Sequence, residues 1–187
     1  MKLIKFQKVK DGKYLKNYEL TYLNNAGKEK CYEIVSHRDL HSPVELGQRS
    51  SGVSIVATCG EKLLLLKEFR MGVNREVYNF CAGMIKGGET IEECIARELM
   101  EETGLKIKKI RKILPPAFPA VTLSDILNQV AFVEVEGTPN SEGASANEQI
   151  TAQFYDRQAV AELLKEGAAF SSRAQVISYF FTEGKLP

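Results

Sequence analysis

The chain has 187 residues, of which 44% are hydrophobic, and its 25 basic and 24 acidic side chains give a formal net charge of +1. This length is enough for one good core plus an extension. The near-neutral charge offers no global basic field, so we do not expect a nucleic acid polymer as a partner. No stretch approaches 18 apolar residues and the N-terminus lacks the apolar run of a signal peptide, so we expect a cytoplasmic protein that does not bind a membrane.

Residues 1–45 are predicted to form a β-rich extension. Tyr18, Leu20 and Tyr22 alternate with polar residues, and the stretch "NNAGK" at 24–28 indicates a turn. An extended pattern resumes around Tyr32 and Ile34. Because the segment has few apolar residues for a core of its own, we expect it to pack on something larger, and a dimer partner is one candidate.

Residues 46–187 are predicted to form the main domain. The apolar strands "GVSIVAT" and "KLLLLKEFR" flank a Cys-Gly-Glu turn, and "EVYNFCAG" is predicted as the next strand. Further strands are predicted at "KIKKIRKIL", "ILNQVAFVEVEG" and "ITAQFY". Besides a helix within residues 83–105, Asp156 is expected to cap one helix, and Ser171 or Ser172 another. Strands interspersed with three helices predict an α/β or α+β fold.

The four cysteines are widely spaced and form no CxxC pair. Cys31, Cys59, Cys81 and Cys94 stand alone in the sequence, and three of them lie in apolar patterns. This usage favours buried, reduced thiols over a zinc site or disulfides.

The stretch "GMIKGGETIEECIARELMEETGL", residues 83–105, is predicted to contain a helix with defined ends. Thr90 followed by Glu93 fits a capping box, and Gly104 suits the left-handed residue that closes a helix. At 100° per residue, one broad apolar face is predicted, formed by Ile91, Cys94, Ile95 and Leu99.

Three glutamates crowd the C-terminal end of this helix at an electrostatic cost. Glu98 and Glu102 project onto the apolar face, with Glu101 beside it. Burial of unpaired carboxylates costs several kcal/mol, and the helix dipole is negative at this end. One possibility is a solvated acidic helix end. The other is a hard divalent cation such as Mg²⁺ or Mn²⁺, which carboxylate oxygens ligate well.

The complete spacing favours the cation. Gly83, five residues, Glu89, seven residues, Arg97-Glu98-Leu99, one residue, Glu101-Glu102, one residue and Gly104-Leu105 match the Nudix box at every fixed position. The chain therefore resembles the Nudix hydrolases over roughly residues 50–187. The resemblance implies a mixed β-sheet between helices, with a metal held by Glu98, Glu101, Glu102 and the carbonyl of Ala82. It also implies that Arg97 supports catalysis through an ion pair with Glu89.

Sequence outside the box looks like the ADP-ribose and ADP-sugar pyrophosphatase branch of that family. Phe69-Arg70 and Cys81-Ala82-Gly83 occupy the places of an aromatic-Arg pair and a "PAG"-like turn, although Cys81 stands where proline is usual. The resemblance implies that Tyr32 stacks on adenine and that Arg38, or alternatively His37, reaches the diphosphate. Asp125 follows Ser124 where the family often has a glutamate that recognises ribose.

The resemblance also implies a reaction. Water activated by a bound metal attacks phosphorus, with Glu148 or Glu101 as base, and the products are AMP and a sugar phosphate. Glu142 lies in the same polar loop, at 139–149, but is further than Glu148 from the expected site. Two alternatives remain: a Nudix hydrolase of nucleoside triphosphates or dinucleotides, and a Nudix-like module that senses a nucleotide without cleaving it. A homodimer is also expected.

Overall fold

The computed structural model describes residues 1–143, 145 and 147–187, so two positions of the predicted 139–149 loop lie outside the described residues. These described residues form ten strands and three α-helices, with a short 3₁₀ helix at Pro43–Glu45. The strands are β1 Lys2–Asp11, β2 Lys16–Leu23, β3 Glu29–Ser36, β4 Ser50–Cys59, β5 Lys62–Arg70, β6 Arg75–Asn79, β7 Cys81–Met84, β8 Lys106–Ile113, β9 Leu127–Glu136 and β10 Ile150–Tyr155. The helices are α1 Ile91–Thr103, α2 Arg157–Lys165 and α3 Ser172–Thr182.

The chain divides into two compact units, and the first contains residues 1–51 together with 116–128. Its sheet has the order β1-β2-β3 with antiparallel pairs. Tyr18, Leu20 and Leu40 form a small buried cluster, in which the Phe6 ring stacks on Tyr18 at 5.1 Å between centroids. Most of β1 is exposed, so little of the strand is held by burial. It depends instead on hydrogen-bonded pairing with β2.

The second unit, residues 52–115 and 129–187, is built on a mixed seven-stranded sheet. Alternate residues of its strands point to opposite faces. Ile55, Leu64 and Leu66 pack on one face against α1, whereas Leu63 and Leu65 pack on the other face against α2 and α3. The sheet therefore lies between helices, which confirms the predicted fold class.

Strand β8 has an unusual repeat, since every third residue is an inward isoleucine. Its register against β9 shifts between Ile107 and Lys109 and again between Ile110 and Lys112. Each shift adds one residue to the outer side of the strand, as in a β-bulge. Ile107, Ile110 and Ile113 can therefore all pack against the core although they are three residues apart.

Three features differ from the sequence-based predictions or complete them. The predicted strand "EVYNFCAG" is two strands, because β6 pairs with β5 whereas β7 pairs with β4. All four cysteines are free thiols, but Cys31 is exposed and Cys59 only half-buried, so the expectation of burial is wrong for these two. Among the described residues, none of the helices has the length and apolar character needed to span a membrane.

Candidate active site

Helix α1 is fixed by local interactions at both ends. The Thr90 hydroxyl accepts a hydrogen bond from the Glu93 N–H at 3.2 Å, and the Glu93 carboxylate accepts one from the Thr90 N–H at 2.8 Å, which is the predicted capping box. Gly104 closes the helix with φ of 66°. Between these ends, Cys94, Ile95 and Leu99 pack in the core, and Glu98 and Glu102 lie on the same buried side of the helix.

Glu98 lies against the loop that precedes the helix. A Cβ atom at Gly83 would overlap the Glu98 carboxylate, so only glycine allows the backbone to come this close. The Arg97 Nη1 donates to Glu98 at 2.5 Å and to Glu101 at 3.2 Å. The same guanidinium donates through Nε and Nη2 to Glu89 at 2.7 and 2.9 Å, and these bonds lower the pKa of the Glu89 carboxyl to about 2. One arginine thus connects three carboxylates.

Glu102 carries the least compensated charge of the group. Its side chain is buried, and its Oε2 accepts a hydrogen bond from the Ala82 N–H at 3.2 Å. Within the described part of the chain, no lysine or arginine nitrogen lies within 4.0 Å of its carboxylate. Burial raises the pKa of Glu102 to about 7. A neutralising partner from outside the chain would therefore favour the ionised form.

A cavity of about 320 Å³ in the second unit brings this carboxylate together with other predicted residues. Ala82, Glu102, Arg70 and Glu148 all line it. The buried Glu68 lines it as well, and its carboxylate accepts hydrogen bonds from Asn79 at 2.7 Å and Arg70 at 3.3 Å. The Glu148 carboxylate accepts a hydrogen bond from the Ser145 N–H at 2.9 Å. The cavity thus combines an arginine with acids at different degrees of burial.

The donor chemistry of α1 fits a hard divalent cation. Among the residues described, no group of three or more His, Cys, Asp or Glu side chains is already arranged to bind a metal ion. Arg97 instead balances Glu98 and Glu101, while Glu102 has hydrogen bonds from the Ala82 N–H and the Cys81 thiol and, among the described residues, no cationic partner within 4.0 Å. A cation held by Glu98 and Glu102 would compensate buried charge on oxygen ligands, which Mg²⁺ and Mn²⁺ prefer. The missing side chain of Gly83 makes room for the Glu98 carboxylate itself.

The first unit has an aromatic cleft of about 270 Å³. Tyr32 and Phe118 line it, and the Tyr32 hydroxyl donates to the carbonyl oxygen of Thr122 at 2.8 Å. Asp125 is buried at one side, and its Oδ2 accepts a hydrogen bond from Arg38 at 3.0 Å. Arg38 also donates to the Glu45 carbonyl at 2.5 Å. This arrangement suits a planar ring with polar edges.

The family model of the NUDIX domain matches residues 48–178. The chain belongs to the Nudix family. Nudix hydrolases generally use divalent metal ions such as Mg²⁺, which agrees with the donor set on α1.

Several known proteins are similar to this Nudix chain. The ADP-sugar pyrophosphatase of Mus musculus is 28% identical over 134 residues, which cover 69% of this chain and 59% of the mouse protein. The NAD-capped RNA hydrolase NudC of Vibrio parahaemolyticus is 38% identical over 99 residues, covering 52% of this chain and 35% of NudC. A crystal structure of an ADP compounds hydrolase superposes with a TM-score of 0.70 at 17% identity, covering 98% of this chain and 96% of that one. This last likeness supports the fold.

The predicted site residues fall into two groups, one in each unit. Glu98, Glu101 and Glu102 lie at the end of α1, and Arg70 and Glu148 line the cavity beside Glu102. Arg38 and Asp125 are paired with each other in the first unit, so the arginine predicted to reach a diphosphate is already bound to a carboxylate. The alternative, His37, is exposed, and its Nδ1 lies 3.3 Å from the Tyr14 carbonyl oxygen.

Sequence patterns alone did not point to Glu68 or Phe118. Glu68 interrupts an apolar strand just before the Phe69-Arg70 pair, which is a usable signal for a functional acid. Phe118 sits in a proline-rich loop and carries no local pattern. Its position depends on Gly47, where a Cβ would lie 2.7 Å from the Phe118 ring.

Proposed function

We propose that this Nudix protein hydrolyses the diphosphate bond of ADP-ribose or a related ADP-sugar with Mg²⁺ or Mn²⁺, giving AMP and a sugar phosphate. The observation that carries the proposal is that Glu102, Arg70 and Glu148 line one cavity together. It combines a buried metal-ligating acid, a cation for phosphate and a second acid. The mouse ADP-sugar pyrophosphatase, whose match covers 69% of the chain, supports the choice of substrate class.

The residues of the second unit have distinct tasks in this proposal. Glu98, Glu101 and Glu102, with the carbonyl of Ala82, would hold the metal. When bound, a divalent ion neutralises phosphate oxygens and lowers the pKa of a coordinated water. Arg97 keeps Glu98 and Glu101 oriented through its hydrogen bonds.

The reaction requires an acceptor for the proton of the attacking water. The water oxygen forms a bond to phosphorus, the bond from that phosphorus to the bridging oxygen breaks, and the bridging oxygen leaves with the other phosphate. We assign the proton to Glu148 because this residue lines the cavity. Glu101, the alternative base, is engaged by Arg97 at 3.2 Å and by Lys86 at 3.7 Å. Arg70 would bind a phosphate oxygen.

The cleft of the first unit offers groups suited to a nucleoside. Tyr32 and Phe118 present aromatic faces on which a purine can stack. Asp125 can accept a hydrogen bond from a hydroxyl or amino group, and Arg38 fixes its carboxylate. In this assignment Arg38 orients Asp125 and has no direct contact with the diphosphate.

A second candidate is hydrolysis of the diphosphate in NAD-capped RNA. The similarity to NudC favours it, because the identity of 38% is higher than the 28% of the mouse protein. The NudC match is shorter, with 99 residues against 134. The bond to be cleaved is chemically the same, so the residues of the cavity would act alike.

A product assay on a substrate panel tests the proposal. The panel contains ADP-ribose, ADP-glucose, NADH, NAD-capped RNA, a diadenosine polyphosphate and a deoxynucleoside triphosphate, each with Mg²⁺ or Mn²⁺. We expect AMP release to be fastest from ADP-ribose or the ADP-sugar. Faster cleavage of NAD-capped RNA or the triphosphate would move the assignment to those substrates. Binding of ADP-ribose without turnover would identify a sensor.

Variants of the polar loop test the base. Glu148→Gln should lower kcat by about 100-fold, the contribution typical of general base catalysis, with little change in KM. Glu142→Gln is the matched control, because Glu142 is an exposed acid in the same loop. If both variants retain full kcat, Glu148 is not the base.

We also propose that the protein is a homodimer formed through the extension. Two large apolar side chains of β1, Ile4 and Val9, are 43% and 50% exposed, which leaves apolar surface for a second copy. Light scattering of the purified protein tests this, and a monomer at all concentrations would refute it.

A further inference from the structure

Two arginines stand directly opposite one another at the end of the β5–β6 hairpin. The register pairs Arg70 with Arg75 across the turn of residues 71–74, in which Asn74 adopts φ of 51°. Directly opposed residues of an antiparallel pair point to the same face, with Cβ atoms about 4.5–5.5 Å apart. The hairpin therefore places the two arginine side chains on one face with neighbouring Cβ atoms.

Like charges in such positions are destabilising unless a group of opposite charge lies close to them. On the same face, the Glu68 carboxylate lies 3.3 Å from the Arg70 guanidinium. It also accepts a hydrogen bond from the Asn79 side-chain amide at 2.7 Å. Glu76, on the opposite face, is 2.7 Å from Lys67. Throughout the residues that the structure describes, no carboxylate oxygen lies within 4.0 Å of the Arg75 guanidinium. One of the two opposed charges is thus uncompensated.

The acid that pairs with Arg70 is itself held by hydrogen bonds. Glu68 is tied to Asn79, and the Asn79 Oδ1 accepts a hydrogen bond from the Ser171 hydroxyl at 2.7 Å at the start of α3. Arg70 is therefore oriented by a chain of hydrogen bonds, whereas the exposed Arg75 keeps its donors for a ligand.

Of the two arginines, Arg70 lines the cavity of the carboxylate site, whereas Arg75 is not among its lining residues and stands opposite Arg70 in the hairpin register. Glu68 and Arg70 line this cavity together with Ala82 and Glu102. Two planar guanidinium groups suit an anion whose oxygens are spread over two phosphorus atoms, because each can donate two parallel hydrogen bonds. We infer that Arg75 is a further substrate-binding residue that, with Arg70, clamps a diphosphate. This inference rests on the proposed diphosphate chemistry, and it gives the repulsive pair a function.

The variant Arg75→Gln tests the clamp through two measurements, the KM for substrate and the Tm of the ligand-free protein. We expect KM for the preferred substrate to rise about tenfold, the loss of one charge-assisted contact, with kcat within about twofold. The Tm of the ligand-free protein should stay equal or rise, because a repulsion is removed. Arg75→Lys should recover part of the KM. Lys109→Gln is the matched control, an exposed and unpaired cation on β8, and should leave KM unchanged.

Calorimetric titration with ADP separates this inference from the proposed function. If no substrate of the panel is cleaved, the proposed function fails, yet weaker ADP binding by Arg75→Gln than by the parent protein still supports the clamp. Equal ADP binding by both proteins, or no binding by either, overturns the clamp. So does a raised KM accompanied by a lowered Tm, which would assign Arg75 a structural role only.

Discussion

Replacing Glu102 with glutamine should increase stability and abolish activity in the same protein. The side chain is 8% exposed, and its carboxylate accepts a hydrogen bond from the Ala82 N–H that an amide oxygen can also accept. The substitution therefore keeps the shape of the side chain and this hydrogen bond while it removes a buried charge. Because that charge would ligate the metal, Glu102→Gln should lose at least about 100-fold in kcat with Mg²⁺ or Mn²⁺.

The magnitude of the stabilisation follows from the pKa of Glu102. Burial raises this pKa from 4.5 to about 7 in the folded protein. A carboxyl with a raised folded pKa contributes its full stability below its unfolded pKa and loses it as the pH rises through the folded value. Since one pKa unit corresponds to about 1.4 kcal/mol, the metal-free protein loses up to about 3 kcal/mol from this group by pH 8. The glutamine variant does not lose this stability, because its side chain does not ionise.

Urea unfolding in EDTA at several pH values between about 5 and 8, followed by circular dichroism, measures this difference. The free energy of unfolding of Glu102→Gln should exceed that of the parent protein at pH 8, and the gap should shrink toward pH 5. Glu92→Gln, an exposed position on the same helix, should show no such gap. Parallel pH profiles, or a less stable Glu102→Gln at pH 8, would refute the account of Glu102 as a buried uncompensated charge.

Two further substitutions have clear expected outcomes. Gly83→Ala should displace the Glu98 carboxylate and reduce kcat by at least about tenfold, because an interaction with the metal is lost, whereas Gly87→Ala in the same loop meets open space and should be active. Wild-type kcat in Gly83→Ala would contradict this. Thr90→Ala should cost about 1 kcal/mol by removing the cap of α1. Its Tm, measured by calorimetry, should fall by about 2–4 °C, and an unchanged Tm would show that the capping box contributes nothing.

The sequence by itself determined the features that depend on neighbours along the chain. The ends of α1 follow from Thr90, Glu93 and Gly104, whose interactions span only three or four residues. The position of Glu98 and Glu102 on the buried side follows from the helical period, so the crowded carboxylates were predictable. The family and the fold class follow from the same local spacing together with the order of strands and helices.

Only the tertiary structure decided which distant residues meet. Arg70 faces Arg75 because of the hairpin register, and a shift of one residue would turn the arginines to opposite faces. Arg38 is held by Asp125, a residue 87 positions away, and no local pattern indicates that contact. "EVYNFCAG" divides because its two halves find different partner strands. Such pairings arise from long-range packing, whose energy depends on the whole sheet and is not written in any local pattern of residues.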